Sequence, residues 1–289
     1  MNTIVNFSPL AIFIIMLGVG MSVSLKNFIE VFQDIKVLLI GLFSQIVILP
    51  VIGLLFVIFT PVDLVFKLGI ILITCVPSAV TSNYITKLVS GNIALSVSLT
   101  AITASLSFIT IPFILIIVAP LALDEASVFQ ELDFIKMSLW LLLITTIPVF
   151  IGMFINTKFL IFVEKINKFY SIFSLLLFVI IILAAWFSEW NIIISLYKSI
   201  GFLVAALAIV VLIISYTFVN LFNLNEANKK TIIIESFIQN SAMAIIVGGI
   251  TFGAASGYLA IAALYALLQY KILLLLWATH KFLKKFNKS

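Results

Sequence analysis

The sequence predicts an all-α, polytopic membrane protein with nine transmembrane helices. Three observations carry that fold class. The 289 residues are 64% hydrophobic and only 9% charged, with a mean hydropathy of +1.35, which is more apolar surface than a soluble domain can hide. Apolar windows of about 20 residues, the length of helix that crosses a bilayer, recur along the whole chain. Polar residues collect in the short connections between them, and no long polar stretch is left for a second, soluble domain.

The first window lies near 6–25. It has no basic flank and no clear small-residue cleavage site, so it reads as a span and not as a removed signal peptide. The next three lie near 37–59, 66–90 and 93–118, and the remaining five near 135–157, 170–188, 199–223, 229–252 and 256–280. The longest connection, "APLALDEASVFQELDFIK" (119–136), holds an acidic stretch at 124–133 that is expected to be a solvated loop or a short surface helix.

Two of these spans should be broken. The third contains "CVPSAVTSN", in which Pro77 removes an amide donor and disfavours helix at the residue before it. The eighth contains "IIIESFIQNSAMAII" (232–246), with the polar break "QNS". Divided as spans one to four and five to nine, each half carries its break in the next-to-last span. That is the pattern of a 4+5 inverted repeat with one helix missing from the first copy. Paired broken helices point to a transporter's binding site near the bilayer midplane.

All sixteen basic residues are lysine. With an even spread through short loops, the net charge of +5 reads as topology information and not as a nucleic-acid footprint. If the C-terminus is cytoplasmic, Lys26, Lys36, Lys87, Lys158, Lys165, Lys168, Lys229, Lys230, Lys281, Lys284, Lys285 and Lys288 fall inside. Only Lys67, Lys136 and Lys198 fall outside, and Lys271 lies within a span. The N-terminus is therefore expected outside, in what should be a bacterial inner membrane.

Enzyme chemistry is not expected. One cysteine, Cys75, and one histidine, His280 among the terminal lysines, give no disulfide framework, transition-metal cluster or nucleophile–base pair. No cofactor and no obligate protein partner are expected; the partners implied are a small solute and the lipid bilayer.

An ionised residue at a helix centre costs roughly 3 kcal/mol on insertion scales, so it faces the protein interior and by default marks function. Glu235 is the one acid buried in this way, and Gln239 lies a turn beyond it on the same face. Ser96 and Thr100 are four apart in the fourth span, Ser82 and Asn83 mark the third-span break, and Gln45 lies within the second. Their donors are all oxygens, which suit a hard cation such as Na⁺ better than zinc or iron. Taken singly, these residues also have plainer readings. Glu235 could be a protonated interhelical tie, Ser96 and Thr100 could bond back to their own helix, and Asn83 and Asn240 could cap exposed backbone.

The segments "TSNYITKLVSGNIALSVSLTAIT" (81–103) and "KKTIIIESFIQNSAMAI" (229–245), with Gln45 in "LFSQIVILP", closely resemble signature segments of the bile acid:sodium symporter family. The resemblance covers essentially the whole chain. It implies a single transmembrane domain over 1–289, divided into a panel and a core. The panel takes the spans near 6–25, 135–157 and 170–188; the core takes those near 37–59, 66–90, 93–118, 199–223, 229–252 and 256–280, with the two broken helices crossing inside it. It also implies two sodium sites. One uses Ser82, Asn83, Ser96, Thr100 and Glu235; the other uses Glu235, Gln239, Gln45 and backbone carbonyls around Ser236 and Ile238. Many bacterial relatives have ten spans, and this chain is expected to lack the first.

The implied activity is sodium-coupled symport of an organic anion, a carboxylate or sulfonate, by alternating access. The alternatives are a proton-coupled or uncoupled organic-anion carrier of the same fold and, from another class, a membrane-embedded enzyme. The substrate side departs from the family pattern. Where relatives often read Pro-Gly-Gly-Thr, this chain has Pro77-Ser78-Ala79-Val80; Ala242 replaces a common glycine; and Gln269-Tyr270, followed by Lys271, stands at a His-Asn pair. Candidate substrate contacts are thus Asn83, Val80, Asn240, Ala242, Gln269 and Lys271, and bile acid is not carried over as the substrate. Lys271 either snorkels to the cytoplasmic surface or pairs with an anion in the cavity.

Overall fold

The computed structural model describes residues 2–23, 29, 31–122, 132–188, 190–252 and 258–286. Lys26, Lys288 and most of the acidic 124–133 stretch lie outside the described residues. Among the described residues, eleven helices follow one another: α1 (Asn2–Met21), α2 (Phe32–Phe59), α3 (Leu64–Cys75), α4 (Thr81–Leu88), α5 (Ile93–Val118, continued by the turn Ala119–Ala122), α6 (Phe134–Lys158), α7 (Leu160–Ser188), α8 (Trp190–Asn220), α9 (Glu226–Phe237), α10 (Ser241–Thr251) and α11 (Tyr258–Phe286). Among the described residues, six helices are long and apolar enough to cross a membrane, within α2, α5, α6, α7, α8 and α11. Three shorter apolar helices, Pro9–Met21, Leu64–Cys75 and Ser241–Thr251, accompany them. The exposed large residues are Leu, Ile, Phe and Val along helix after helix, which lipid and not water must cover. The chain is an integral, polytopic membrane protein.

Local chemistry places most helix ends. Asp63, Asn92, Asp133, Asn225 and Asn240 each cap a helix by accepting a backbone N–H from three residues on, at Phe66, Leu95, Lys136, Asn228 and Met243. The end of α4 is closed by Gly91 N–H donating to Thr86 O at 2.8 Å, with Ser90 in the left-handed region at φ 57°.

Prolines shape the long helices. π-helical turns occur at Ser44–Ile48, Phe113–Val118 and Leu142–Thr146. Each contains the residue four before a proline, namely Ile46 before Pro50, Ile116 before Pro120 and Ile144 before Pro148. A proline inside a helix collides with that carbonyl and gives it no donor, and a widened turn relieves both faults.

The α1 helix packs on α6 and α7. Where α1 and α6 cross, Gly20 and Gly152 bring the backbones together; a Cβ on Gly152 would strike Leu17 O and Met21 N. Asn156 Nδ2 donates to Met21 O at 2.5 Å and ties the same pair. The main core cluster runs through α1, α3, α10 and α11, with Ile71, Ile261, Leu264 and Tyr265 all essentially inaccessible.

Candidate functional site

The two breaks meet. After α3, Val76 is extended and Pro77 cannot donate; after α9, Ile238 is likewise extended. Ala79 N–H donates to Ile238 O at 3.2 Å, Asn240 N–H donates to Pro77 O at 3.0 Å, and Ser78 pairs antiparallel with Gln239. Each break thus satisfies the backbone groups that the other frees, which is what permits irregular chain so deep in the fold. Gln269 of α11 adds a two-pronged clamp: its Oε1 accepts from Gln239 N–H at 3.0 Å and its Nε2 donates to Gln239 O at 3.3 Å.

The crossing sorts charge by helix polarity. The carbonyl ends of α3 and α9 and the amide ends of α4 and α10 converge on it. Carbonyl ends favour cations and amide ends favour anions.

Glu235 lies on α9, one turn before the break and fully buried. Its Oε1 accepts from Ser82 and Ser96 Oγ, each at 2.5 Å; its Oε2 accepts from Ser78 Oγ at 2.5 Å and Thr100 Oγ1 at 2.8 Å. Three separate segments supply these hydroxyls: the third-span break, α4 and α5. Ser96 Oγ also lies 2.7 Å from Asn83 Oδ1 and 3.3 Å from Thr86 Oγ1. No lysine pairs with Glu235 among the described residues. Ser82, Asn83, Ser96 and Thr100 are thus gathered around one carboxylate.

A second group lies around the end of α9. Gln239 Nε2 donates to Ser236 O at 2.5 Å, leaving its own Oε1 buried without a partner. Gln45, on the π-helical turn of α2, is buried with both amide atoms unpartnered, and its neighbour Ser44 bonds Ser236 Oγ at 2.8 Å. The carbonyl of Ile238 is engaged by Ala79.

The other candidates are dispersed. Asn240 and Val80 line a narrow cleft with about 10 Å³ of free space, with Thr81 and Tyr84 on one wall, and Ile15, Ser171, Ser174 and Phe178 on the other. Ser174 Oγ is buried there without a partner. Ala242 is fully buried behind Asn240. Lys271 points elsewhere: its Nζ lies 3.4 Å from Tyr197 Oη on α8 and 5.9 Å from that ring's centre. Sequence reasoning overlooked Ser44, Ser78 and Thr86. Ser78 stands inside the quoted break and Ser44 beside Gln45, so adjacency to a chosen polar residue was the available signal.

Comparison with known proteins bears on this geometry. The model of the Sodium Bile acid symporter family matches residues 9–196. This chain belongs to that family. Among its relatives, the "uncharacterized sodium-dependent transporter YocS" of Bacillus subtilis is 33% identical over 108 residues, 37% of this chain and 33% of that protein. The "probable sodium/metabolite cotransporter BASS1, chloroplastic" of Arabidopsis thaliana is 25% identical over 252 residues, 86% of this chain and 60% of its own length. The human "ileal sodium/bile acid cotransporter" is 29% identical over 168 residues, 58% of this chain and 47% of the relative. The matched stretches therefore span a third to three fifths of these relatives' own lengths. The matched residues 9–196 take in the third-span break, α4 and α5, whereas Glu235 and the break between α9 and α10 lie beyond them.

Proposed function

We propose that this protein is a secondary active transporter that couples inward sodium movement to uptake of an organic anion, a carboxylate or sulfonate, by alternating access. The observation that carries this reading is the buried Glu235 carboxylate, surrounded by hydroxyl and amide oxygens with no cationic side chain paired to it among the described residues. An unpaired carboxylate in a dry site needs a neutralising cation or proton. The company of four hydroxyls suits Na⁺, because each can donate its hydrogen to the carboxylate and turn a lone pair to the ion. The names of the relatives lend the same support.

In this reading one Na⁺ binds among Ser82, Asn83, Ser96, Thr100 and Glu235. The second binds between Glu235, Gln239, Gln45 and the carbonyls near Ser236 and Ile238. The unpartnered Gln239 and Gln45 oxygens favour that second position. The anion binds where the narrow cleft at Asn240 and Val80 opens as panel and core move apart, near Asn83 and the amide ends of α4 and α10. The nine sequence windows become nine spans when α3 with α4, and α9 with α10, each count as one broken helix. The panel formed by α1, α6 and α7 then rocks against the remaining core, with the N-terminus outside.

The test is thermal unfolding of the purified protein in NaCl against choline chloride at equal ionic strength. Saturating Na⁺ at 100 times its Kd should stabilise by about 2.7 kcal/mol through mass action, a rise of several degrees in Tm. A melting temperature indifferent to Na⁺, with uptake into proteoliposomes driven equally by a proton gradient, would favour proton coupling instead.

A further inference from the structure

We propose that Ser78 is an additional side-chain ligand of the Glu235 sodium site, and the one that ties ion occupancy to the backbone of the crossing; this rests on the sodium reading above. Ser82, Ser96 and Thr100 sit on helices, where their positions are set by helix packing. Ser78 sits on the break itself. Its Oγ is 2.5 Å from Glu235 Oε2 and 3.0 Å from Thr100 Oγ1, and the residue is only 1% exposed. Oε1 is served by two hydroxyls, Ser82 and Ser96, and Ser78 gives Oε2 the same number beside Thr100. Without Ser78, one edge of the carboxylate would have a single donor and the ion one fewer oxygen on that side.

The backbone makes this hydroxyl different in kind. Ser78 is flanked by Pro77, whose carbonyl accepts from Asn240 N–H, and by Ala79, whose N–H donates to Ile238 O. The residue pairs directly with Gln239, and Gln239 and Asn240 form the other break. An ion held by Ser78 Oγ therefore holds both breaks in register at once. Asn240 caps α10 and lines the anion cleft, so the same register positions the anion end of the crossing. Ser78 in this way links cation binding to the shape of the anion cleft through three residues of backbone.

Na⁺ titrations of thermal unfolding test this on the full-length protein, comparing the native chain with Ser78→Gly, Ser78→Cys and Glu235→Gln. Ser78→Cys preserves volume while replacing a hard oxygen with a soft sulfur, and so guards against a glycine variant that fails to fold. Loss of one charge-assisted oxygen contact should raise the Na⁺ midpoint roughly tenfold in both Ser78 variants. Glu235→Gln should abolish the response. A hydroxyl that merely fills space would lower the melting temperature in choline chloride and leave the midpoint where it was. A native-like midpoint in both Ser78 variants, or in the cysteine variant alone if the glycine variant does not fold, overturns the proposal while the sodium reading stands. A native protein with no Na⁺ response overturns both.

Discussion

At the scale of single residues, Glu235 and Lys271 are opposites. Both are charged side chains on apolar helices, yet Glu235 is fully buried under four hydroxyl donors and Lys271 is exposed, lying against Tyr197. Hydrogen bonds to a charged acceptor contribute about 1.5–3 kcal/mol each, so the Glu235 cluster is where a bound cation gains most. The lysine is already served by a phenol oxygen and an aromatic face. Glu235→Ala and Gln239→Ala should therefore each lose sodium-dependent uptake, and removal of about 2 kcal/mol of ion binding corresponds to a thirtyfold change. Lys271→Met should leave both the Na⁺ midpoint and the substrate affinity within about twofold. Uptake into proteoliposomes at graded Na⁺ separates the two outcomes. A weakened substrate affinity in Lys271→Met would restore the lysine to the anion site.

At the scale of helices, the breaks were readable because their causes are local. Pro77 and the polar clusters "TSN" and "QNS" interrupt apolar runs, and the structure ends α3 at Cys75 and α9 at Phe237. The π-helical turns were not anticipated, although each obeys a local rule, the carbonyl four residues before a proline. Hydrophobic periodicity alone does not separate 3.6 residues per turn from one widened turn. Ser78 was passed over for a different reason. Nothing in a sequence says which way a residue on a non-helical break will point, and its partner Glu235 is 157 positions away. Lys271 was expected to snorkel toward the near surface or to enter the cavity; contact with Tyr197 depends on the packing of α8 against α11, which periodicity does not specify. Helix crossing itself offers a test. Gly152→Ala places a methyl group against the backbone of α1 and should destabilise by about 1–3 kcal/mol as an overpacking change. Gly201→Ala meets its nearest atom, on Tyr197, at an ordinary 3.4 Å. It should stabilise by up to about 1 kcal/mol through helix propensity. Melting temperatures of the two variants should thus move in opposite directions, and a Gly152→Ala variant that melts no lower than the native chain would mean that the α1–α6 crossing is looser than its backbone contacts indicate.

At the scale of the whole molecule, the crossing brings the carbonyl ends of α3 and α9 and the amide ends of α4 and α10 to one place. Ser82, in the first turn of α4, reaches the Glu235 carboxylate, while Val80 and Thr81 at the start of α4 and Asn240 at the cap of α10 line the cleft. In the proposed reading, a cation at Glu235 and an anion at the cleft are held at neighbouring positions in the same cycle, as symport requires. Charge bookkeeping follows from the proposed occupancy. Glu235 balances one of two Na⁺ ions but stays with the protein, so the solutes that cross are two Na⁺ and one monoanion. Each cycle then carries one net positive charge inward, worth about 2.3 kcal/mol per 100 mV. Uptake of a monoanion should accordingly be electrogenic, accelerated by an inside-negative potential set with a potassium gradient and valinomycin. Its rate should rise with the second power of Na⁺ concentration below saturation. The direction of the potential effect discriminates among stoichiometries. One Na⁺ per monoanion gives uptake indifferent to potential, whereas a dianion with two Na⁺ gives the same indifference but keeps the second-order sodium dependence. Measuring both on one proteoliposome preparation fixes the ion count and the substrate charge together. A first-order, potential-independent uptake would remove the second sodium site at Gln239 and Gln45, while leaving the hydroxyl-lined site at Glu235 in place.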